Sequence, residues 1–358
     1  MIRIRDLRTV TVEVPGQDEL VKGDTSSVGC LLVFLDTDEG ITGESLLFAF
    51  DPRHLAVLEQ MVLVLKADVI GEDPDYTERI WEKLWARSRF FGHEGVSIFA
   101  ISALDRACWD IVRQAAGKPL YRILGACRDD VPAYASGLWL TQTPDQLVAD
   151  ARRFLAAGFR AIKMRVGKPR IQDDVERVRI VREAIGPEIA LMVDANKRFT
   201  VDHAIRLGRR LEAFDLAWFE EPVPAHDLAG SAKVAAALDT PIASGESEFT
   251  RYGFRAMLEL QAADILMPDF ARVGGLTEMM KVAAMAAAFD VPVTPHNYPQ
   301  ESIQVLGSIP NGTWLECLPW FSPLYSEPIE VVNGRVAIPQ APGGFRLDPA
   351  AIERLRIR

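Results

Sequence analysis

Three acidic residues recur at one interval in the middle of the chain. Asp194, Glu220 and Glu246 each end a short apolar run (IALMVD, AWFE and PIASGE), with 26 positions from 194 to 220 and from 220 to 246. This interval fits one strand, one helix and two loops, so three successive units would hold a carboxylate at the same point. Carboxylates brought together without a cation repel one another and are costly to bury. Because a hard divalent ion such as Mg²⁺ prefers oxygen ligands, the spacing predicts a metal site.

Two cations stand on the apolar run RAIKMRV, which precedes these acids. Because side chains alternate along a strand, Lys163 and Arg165 share one face. Cations that face the interior of a protein are costly unless an anion meets them, so we expect both to face a negatively charged ligand. The alternative, outward charges that lie between helices, fits this apolar run less well.

Two later runs end in residues suited to proton transfer. Asp269 ends DILMPD, and His296 ends VPVTPH. A histidine titrates near neutral pH, and an aspartate hydrogen-bonded to its Nδ1 fixes the tautomer and raises the basicity of the ring. Adjacent strands would let the two residues meet. The next run, TWLECLP, contains Glu316, which is either inward and functional or tied to a structural arginine.

Each of these acids, taken singly, has a simpler interpretation as a helix cap, since a helix commonly follows a strand end. Caps do not explain three equal intervals together with the lysine, aspartate, histidine and glutamate in the flanking units. Asn196 shares the face of Asp194 and is a candidate contact to metal or substrate. Glu221 follows Glu220 directly, so alternation predicts that its side chain points elsewhere.

The elements that position these residues alternate regularly from Val131 onward. Eight short apolar segments are typical of strands, and amphipathic segments such as DDVERVRIVREAIG separate them. Strands buried on both faces and separated by helices indicate a parallel sheet, and eight such units favour a closed barrel. Active sites of such barrels lie at the carboxyl ends of the strands, where the acids fall. No glycine-rich phosphate-binding sequence follows the early strands, which weakens an open doubly wound alternative.

The first 127 residues have a different pattern. Residues 1 to about 50 alternate apolar and polar with a turn at 38–40, whereas residues 54–127 have the helical period. Strands followed by helices indicate an α+β domain. The tail contains a hairpin sequence with Asn333-Gly334 at its turn, which we expect to return to the N-terminal domain. We predict a capping domain over 1–127, completed by 323–358, and a barrel over 128–322.

The composition is that of a globular protein. A chain of 358 residues is long enough for two domains, and a net charge of −10 without a basic run argues against nucleic acid as a partner. No run approaches the length of a membrane span, and the start, MIRIRDLRTV, lacks the apolar segment of a signal peptide. The four cysteines are scattered, which is typical of reduced thiols. We expect a cytoplasmic protein without a nucleic-acid or membrane partner.

With these residues in their order, the whole chain resembles the mandelate racemase group of the enolase superfamily. The residues that match the pattern of the group are Lys163, Arg165, Asp194, Glu220, Glu246, Asp269, His296 and Glu316. The resemblance implies an α/β fold, a (β/α)₇β TIM-type barrel with an α+β capping domain. It implies that Asp194, Glu220 and Glu246 bind Mg²⁺, with Mn²⁺ as a substitute. It also implies that the substrate is a small-molecule carboxylate that chelates the ion and becomes an enediolate when its α-proton is removed.

The resemblance also implies roles for two buried charges. Lys163 would neutralise the substrate carboxylate. Glu316 would hydrogen-bond a carboxylate oxygen when it is protonated, a state that apolar surroundings favour by raising its pKa.

One position departs from the pattern of the group. The group has Lys-x-Lys on its second barrel strand, and the second lysine is a base on one face of the substrate; here that position is Arg165. A guanidinium is almost never deprotonated, so it is a poor base and a good carboxylate clamp. A racemase needs a base on each face, whereas a dehydratase works with one base and an acid for the departing hydroxyl. We predict a syn elimination by His296 alone, or an anti elimination if Arg165 acts as the base.

Several families of this group are acid sugar dehydratases, so we expect a sugar acid to lose its 3-hydroxyl and give a 2-keto-3-deoxy acid, a carbon–oxygen lyase reaction. A racemase, epimerase or lactone cycloisomerase is the alternative within the superfamily. A metal-binding barrel without catalysis is the alternative outside enzymes, and the Asp269–His296 pair argues against it.

The predicted substrate contacts are Asn196, Trp320 and Lys22, the last in a polar loop over 17–27. By analogy we expect a homo-oligomer.

Overall fold

The computed structural model describes residues 1–16, 27–342 and 344–357. Within them the chain begins with a three-stranded antiparallel sheet of β1 (Ile4–Pro15), β2 (Ser27–Thr37) and β3 (Thr42–Ala49). The predicted hairpin is confirmed, since the backbones of Thr37 and Ile41 are hydrogen-bonded across the turn between β2 and β3. Helices follow the sheet: α1 (Leu55–Val64), α2 (Lys66–Val69), α3 (Thr77–Arg87), α4 (Val96–Ala116) and α5 (Leu120–Ile123), with 3₁₀ turns at Pro52–His54 and Ser88–Phe90.

The long helix α4 packs closely against β3 at Gly43. A Cβ atom added to Gly43 would lie 2.1 Å from the carbonyl oxygen of Ala107 and 2.7 Å from a side-chain carbon of Ile111. Because the nearer atom belongs to the helix backbone, it cannot turn aside as a side chain can. The absence of a side chain at Gly43 therefore sets the distance between sheet and helix.

We expect Gly43→Ala to destabilise the fold, because β3 and α4 must move apart to admit the methyl group. Overpacking of this kind costs about 1–3 kcal/mol, and we expect a loss near the upper end. Urea unfolding followed by circular dichroism measures the change, with Glu39→Ala in the exposed turn as the control. An unfolding midpoint equal to that of the wild type would contradict the close packing.

The barrel strands within the described residues form a curled parallel sheet. In their order along the chain they are β4 (Asp130–Ser136), β5 (Ala161–Arg165), β6 (Ala190–Asp194), β7 (Leu216–Glu220), β8 (Ile242–Ser244), β9 (Ile265–Leu266) and β10 (Leu315–Cys317). Each strand from β4 to β8 pairs with the next one along the chain, and β10 pairs with β4. The predicted barrel and its parallel sheet are thereby confirmed.

The predicted strand VPVTPHN is present only as single bridges. Val293 forms parallel bridges to Leu266 of β9 and to Gly312, and His296 forms one to Asp269. The physical reason is the pair of prolines at positions 292 and 295, which lack the N–H groups that a continuous ladder needs. These bridges lie between β9 and β10 and close the ring.

Helices separate the barrel strands, as the sequence predicts. They are α6 (Pro144–Ala156), α7 (Ile171–Ile185), α8 (Val201–Leu211), α9 (Leu228–Ala235), α10 (Thr250–Glu259), α11 (Phe270–Val273), α12 (Leu276–Ala288) and α13 (Pro299–Leu306), with a 3₁₀ turn at Glu212–Phe214. The side-chain oxygen of Thr143 accepts a hydrogen bond from the backbone N–H of Gln146, so α6 begins with a capping box. In the part of the chain that the structure describes, every helix is too short or too polar to cross a bilayer.

Side chains fill the barrel interior below the mouth. The interior cluster consists of Tyr134, Ala161, Met192, Trp218, Ala243 and Met267. A second apolar core is shared by the N-terminal sheet, α4 and the barrel segments that follow Phe254, so the cap packs against the barrel. The barrel is thus a packed scaffold that leaves only its mouth for a ligand.

The predicted hairpin of the tail forms, but it lies on the barrel. Its strand β11 (Arg335–Ala337), which follows a 3₁₀ segment at Pro319–Leu324, pairs antiparallel with β4. The expectation that this hairpin returns to the N-terminal domain is wrong, because residues 130–132 of β4 extend beyond β10 and offer free backbone groups. The residues after the hairpin reach the cap: the carbonyl of Pro342 accepts a hydrogen bond from Nη1 of Arg113 in α4, and beyond α14 (Pro349–Leu355) the N–H of Ile357 donates to the carbonyl of Thr11.

Candidate active site

The carboxyl ends of the barrel strands bring the predicted acids and bases together. In the strand register Arg165 of β5 lies beside Asp194 of β6, and Asp194 lies beside Glu220 of β7. Apart from Lys163 on β5, each of these strands is apolar up to its last residue. Burial of the strand therefore places its last, charged residue at the barrel mouth. The predicted charged residues that lie buried at the mouth are Lys163, Arg165, Asp194, Glu220, Glu246, Asp269 and Glu316.

Lys163 lies at the floor of the mouth, with 1% of its side chain exposed. Its Nζ is 2.7 Å from Oε1 of Glu220 and 2.8 Å from Oε1 of Glu316. Burial lowers the pKa of Lys163, but the two carboxylates outweigh burial and raise it above its usual value. Lys163 is therefore a fixed positive charge in the deepest part of the site.

Arg165 faces inward on the same strand. Its Nη1 donates to Oδ2 of Asp194 at 2.6 Å, and its guanidinium carbon lies 5.0 Å from the ring centre of Trp139. Burial lowers the pKa of Arg165, but Asp194 and Glu220 outweigh burial and raise it. At this position the side chain remains a cation, which fits a carboxylate clamp and not a base.

The three predicted metal ligands are each held by a cation. Asp194 binds Arg165, Glu220 binds Lys163, and Oε1 of Glu246 lies 2.8 Å from the Nζ of Lys197. Among the described residues no three acidic, histidine or cysteine side chains surround one point as a ready-made metal cluster. A metal ion would therefore compete with these cations for the carboxylates.

Lys197 and Glu221 belong to the same network, although neither was predicted from the sequence as a residue of the site. The Nζ of Lys197 lies 3.0 Å from Oε2 of Glu221 as well as next to Glu246. The prediction that Glu221 points away from the site is wrong, because β7 ends at Glu220 and the backbone of Glu221 has a φ of 40°. Strict alternation no longer holds beyond a strand end. The signal available for Lys197 was its place one residue after Asn196, on the loop that leaves β6.

The network contains more negative than positive charge. Burial raises the pKa of Glu220 to about 7, with Asp194 and Glu316 acting in the same direction and Lys163 opposing them. Ion pairs join the carboxylates of Asp194, Glu220, Glu221, Glu246, Asp269 and Glu316 to the cations Lys163, Arg165, Lys197 and, when protonated, His296. Counted as fully ionised, the six carboxylates exceed the four cations by two negative charges. Oxygen donors on three strand ends with this surplus charge fit a hard divalent cation such as Mg²⁺.

Asp269 and His296 form the predicted pair. Nδ1 of His296 is 2.9 Å from Oδ2 of Asp269, and the other oxygen of Asp269 accepts the backbone N–H groups of Ala271 and Arg272. Nε2 of His296 faces the acids, 3.2 Å from Oε2 of Glu246. Burial lowers the pKa of His296, but Glu246 and the bond to Asp269 outweigh burial and raise it to about 9. The imidazole is therefore held in one orientation with one nitrogen directed into the mouth.

Glu316 is inward, but its ionisation differs from the prediction. Burial raises the pKa of Glu316, as expected, yet Lys163 and His296 outweigh burial and lower it to about 2. Oε2 of Glu316 also accepts the backbone N–H of Asn297 at 2.9 Å. The expectation of a protonated Glu316 is wrong in this state of the site, because two cations replace the apolar surroundings that the sequence predicts.

A cavity of about 460 Å³ opens above these residues. It is lined by Arg165, Asn196, Glu246, His296 and the predicted contact Trp320, together with Phe48 and Phe50 from the end of β3, Trp139, Leu140, Lys197, Arg198, Arg272 and Leu318. This volume suits a small organic ligand. Asn196 also donates to Oδ2 of Asp194 at 3.0 Å. Lys22 and most of the predicted loop over 17–27 lie outside the described residues.

Two family models together match most of the chain. The model described as mandelate racemase / muconate lactonizing enzyme, N-terminal domain, matches residues 8–125, and the model described as enolase C-terminal domain-like matches residues 146–351. The chain belongs to the mandelate racemase group of the enolase superfamily. The resemblance stated from the sequence is thereby confirmed.

Relatives within the mandelate racemase group include both lyases and isomerases. The chain is 37% identical to the 3,6-anhydro-alpha-L-galactonate cycloisomerase of Streptomyces coelicolor over 91% of each chain. It is 38% identical to the L-talarate/galactarate dehydratase of Salmonella typhimurium, over 79% of this chain and 72% of that enzyme. The chain superposes on a crystal structure of L-talarate dehydratase from Polaromonas sp. JS666 complexed with Mg and L-glucarate with a TM-score of 0.91 and 32% identity, over 100% of this chain and 98% of that one. Magnesium is thus present in solved members of the group.

Proposed function

We propose that the protein is a magnesium-dependent acid sugar dehydratase. It would remove the proton α to a carboxylate and eliminate the 3-hydroxyl, which gives a 2-keto-3-deoxy acid. The observation that supports this proposal best is the asymmetry of the mouth. A positioned imidazole, His296, serves one side, and Arg165 stands where a second base would be. The sugar acids named for the dehydratase relatives support the same substrate class.

His296 is the proposed acid–base residue. Asp269 holds Nδ1 and the ring directs Nε2 into the mouth, where its deprotonated form would accept the α-proton from a substrate in the cavity. In a syn elimination the same nitrogen, then protonated, would donate to the departing hydroxyl. If Arg165 acts as the base, an anti elimination with His296 as the acid results.

The cations of the mouth would stabilise the charge that develops on the substrate carboxylate. A bound magnesium ion supplies Lewis-acid stabilisation there, with Asp194, Glu220 and Glu246 as its proposed ligands. Lys163 at the floor and Arg165 beside it add two fixed positive charges that need no reorganisation during the reaction.

Arg165 is expected to contribute as a charge and not as a base. We expect Arg165→Met to lower kcat/KM by about 100-fold, because a buried charge next to the reacting carboxylate is lost, and Arg165→Lys to lower it by about 10-fold or less. Steady-state kinetics on the best substrate measures both, with Arg206→Met on the exposed face of α8 as the matched control. An Arg165→Met enzyme within twofold of the wild type would remove Arg165 from the mechanism.

An isomerase is the second candidate, since a cycloisomerase is among the relatives of comparable identity. Such an enzyme would use the same α-proton removal but would form or open a ring, or return a proton, without net loss of water. The presence or absence of a 2-keto acid distinguishes the two candidates.

The proposal is tested by screening the purified protein with Mg²⁺ against mono- and diacid sugars and detecting 2-keto acids as semicarbazones. We expect at least one acid to give keto product, and chelation of the metal to stop its formation. If acids are converted to epimers or lactones and none gives keto product, the dehydratase proposal fails and the isomerase takes its place.

A further inference from the structure

The cavity wall contains two guanidinium groups that form no ion pair with a carboxylate among the described residues. Arg198 and Arg272 both line it, whereas the other two basic side chains of its wall, Arg165 and Lys197, are ion-paired. Unpaired cations of this kind on the wall of a cavity raise the local concentration of anions, even in a protein with a net charge of −10.

Arg272 is held in place by neutral contacts. Its Nη1 donates to the backbone carbonyl of Glu246 at 3.1 Å, and its guanidinium carbon lies 5.9 Å from the ring centre of Phe99. A guanidinium has five N–H donors, so these contacts leave most of its donors for another acceptor. These contacts orient the guanidinium of Arg272 without an ion pair to a carboxylate.

Arg198 lies at the outer edge of the same cavity, with an exposed side chain. Its Cδ passes so close to Gly167 that a Cβ added there would lie 2.5 Å away. Gly167, which has a φ of 143°, therefore makes room for the stem of Arg198 on the loop after β5. The stem is packed, and the guanidinium remains at the mouth.

The two cations differ from Lys163 in depth. Lys163 is buried at the floor, Arg272 is half-buried, and Arg198 is exposed. A substrate whose first carboxylate lies near the floor would extend outward through the cavity whose wall contains the two arginines. An acid sugar with a single carboxylate would leave both guanidinium groups without an anionic partner.

We infer that the substrate is a dicarboxylate sugar acid, whose far carboxylate binds Arg198 and Arg272. This inference rests on the proposed function and narrows it, since it selects acids with a carboxylate at each end over acids with one. Guanidinium groups bind carboxylates through two parallel hydrogen bonds, so the two arginines would act as specificity-determining residues.

The test compares matched pairs of acids on the magnesium-loaded protein: galactarate with galactonate, and glucarate with gluconate. We expect the kcat/KM of the preferred diacid to exceed that of its monoacid by at least 100-fold. Arg198→Met and Arg272→Met should each reduce this ratio by 10-fold or more, mainly through KM, whereas Arg206→Met should leave the ratio unchanged. A preference for the monoacid, or variants that leave the ratio intact, would overturn the inference.

Calorimetric binding separates this inference from the proposed reaction. If the diacid binds more tightly than its monoacid, and Arg272→Met removes the difference, the second carboxylate site stands even when no acid is dehydrated. In that case only the proposed function fails. Keto product from monoacids, with no preference in binding, would keep the function and overturn the second site. Tighter binding of 6-phosphogluconate than of either diacid would also overturn the second carboxylate site, because the far anion would then be a phosphate.

Discussion

We expect His296→Asn to lower kcat by about 10³-fold or more and to leave magnesium binding within about threefold of the wild type. A positioned general base contributes about 10²–10⁴-fold, and His296 is the proposed proton carrier for both halves of the elimination. Asparagine preserves a polar side chain of similar size but cannot accept the α-proton. Turnover of the preferred acid and calorimetric titration with Mg²⁺ measure the two quantities.

The matched control is His226→Asn, an exposed histidine outside the described cavity. It should keep full turnover and full magnesium affinity. Turnover of His296→Asn near the wild-type rate would contradict the proposed mechanism. If magnesium affinity falls together with turnover, the contact of His296 with Glu246 supports the metal site, and the loss of rate no longer identifies a base.

The second large effect concerns the metal ligands. We expect Glu220→Gln to weaken magnesium binding by about 100-fold or more and to reduce turnover by a similar or larger factor, since the loss of one anionic ligand costs several kcal/mol. Calorimetry and a magnesium titration of activity measure this change. Chelation of magnesium from the wild-type protein should abolish turnover in the same way.

Two further variants make the Glu220 prediction specific. Glu259→Gln on the exposed side of α10 should not affect magnesium binding. Glu221→Gln tests the neighbour, which lies in the same network through Lys197. If Glu221→Gln loses magnesium and Glu220→Gln does not, the assignment of ligands from the equal spacing is incorrect.

The sequence alone was sufficient for the architecture, because its signals there are local. Apolar runs that end in charged residues, separated by amphipathic segments, define β5, β6 and β7 and place Arg165, Asp194 and Glu220 side by side. Once parallel strands are assigned, the position of their last residues follows from chain direction. The same reasoning brought Asp269 and His296 together.

The features that the sequence did not reveal depend on non-local packing or on backbone geometry beyond a strand end. Glu221 turns into the network because its φ is positive, and alternation does not apply there. The ionisation of Glu316 depends on Lys163 and His296, which are distant in the chain. The tail hairpin pairs with residues 130–132 of β4. These residues are available because β10 pairs only with residues 133–135, a register that the sequence does not reveal.

The proposed elimination is tested most directly by following the α-proton by ¹H NMR in D₂O with Mg²⁺ and the preferred acid. We predict a 2-keto-3-deoxy product with one deuterium at C3, and no epimer of the starting acid, because Arg165 offers no base on the second face. Deuterium in an epimer or a lactone, without keto product, would contradict the account. The reaction would then be an isomerisation, with proton transfer on both faces of the substrate.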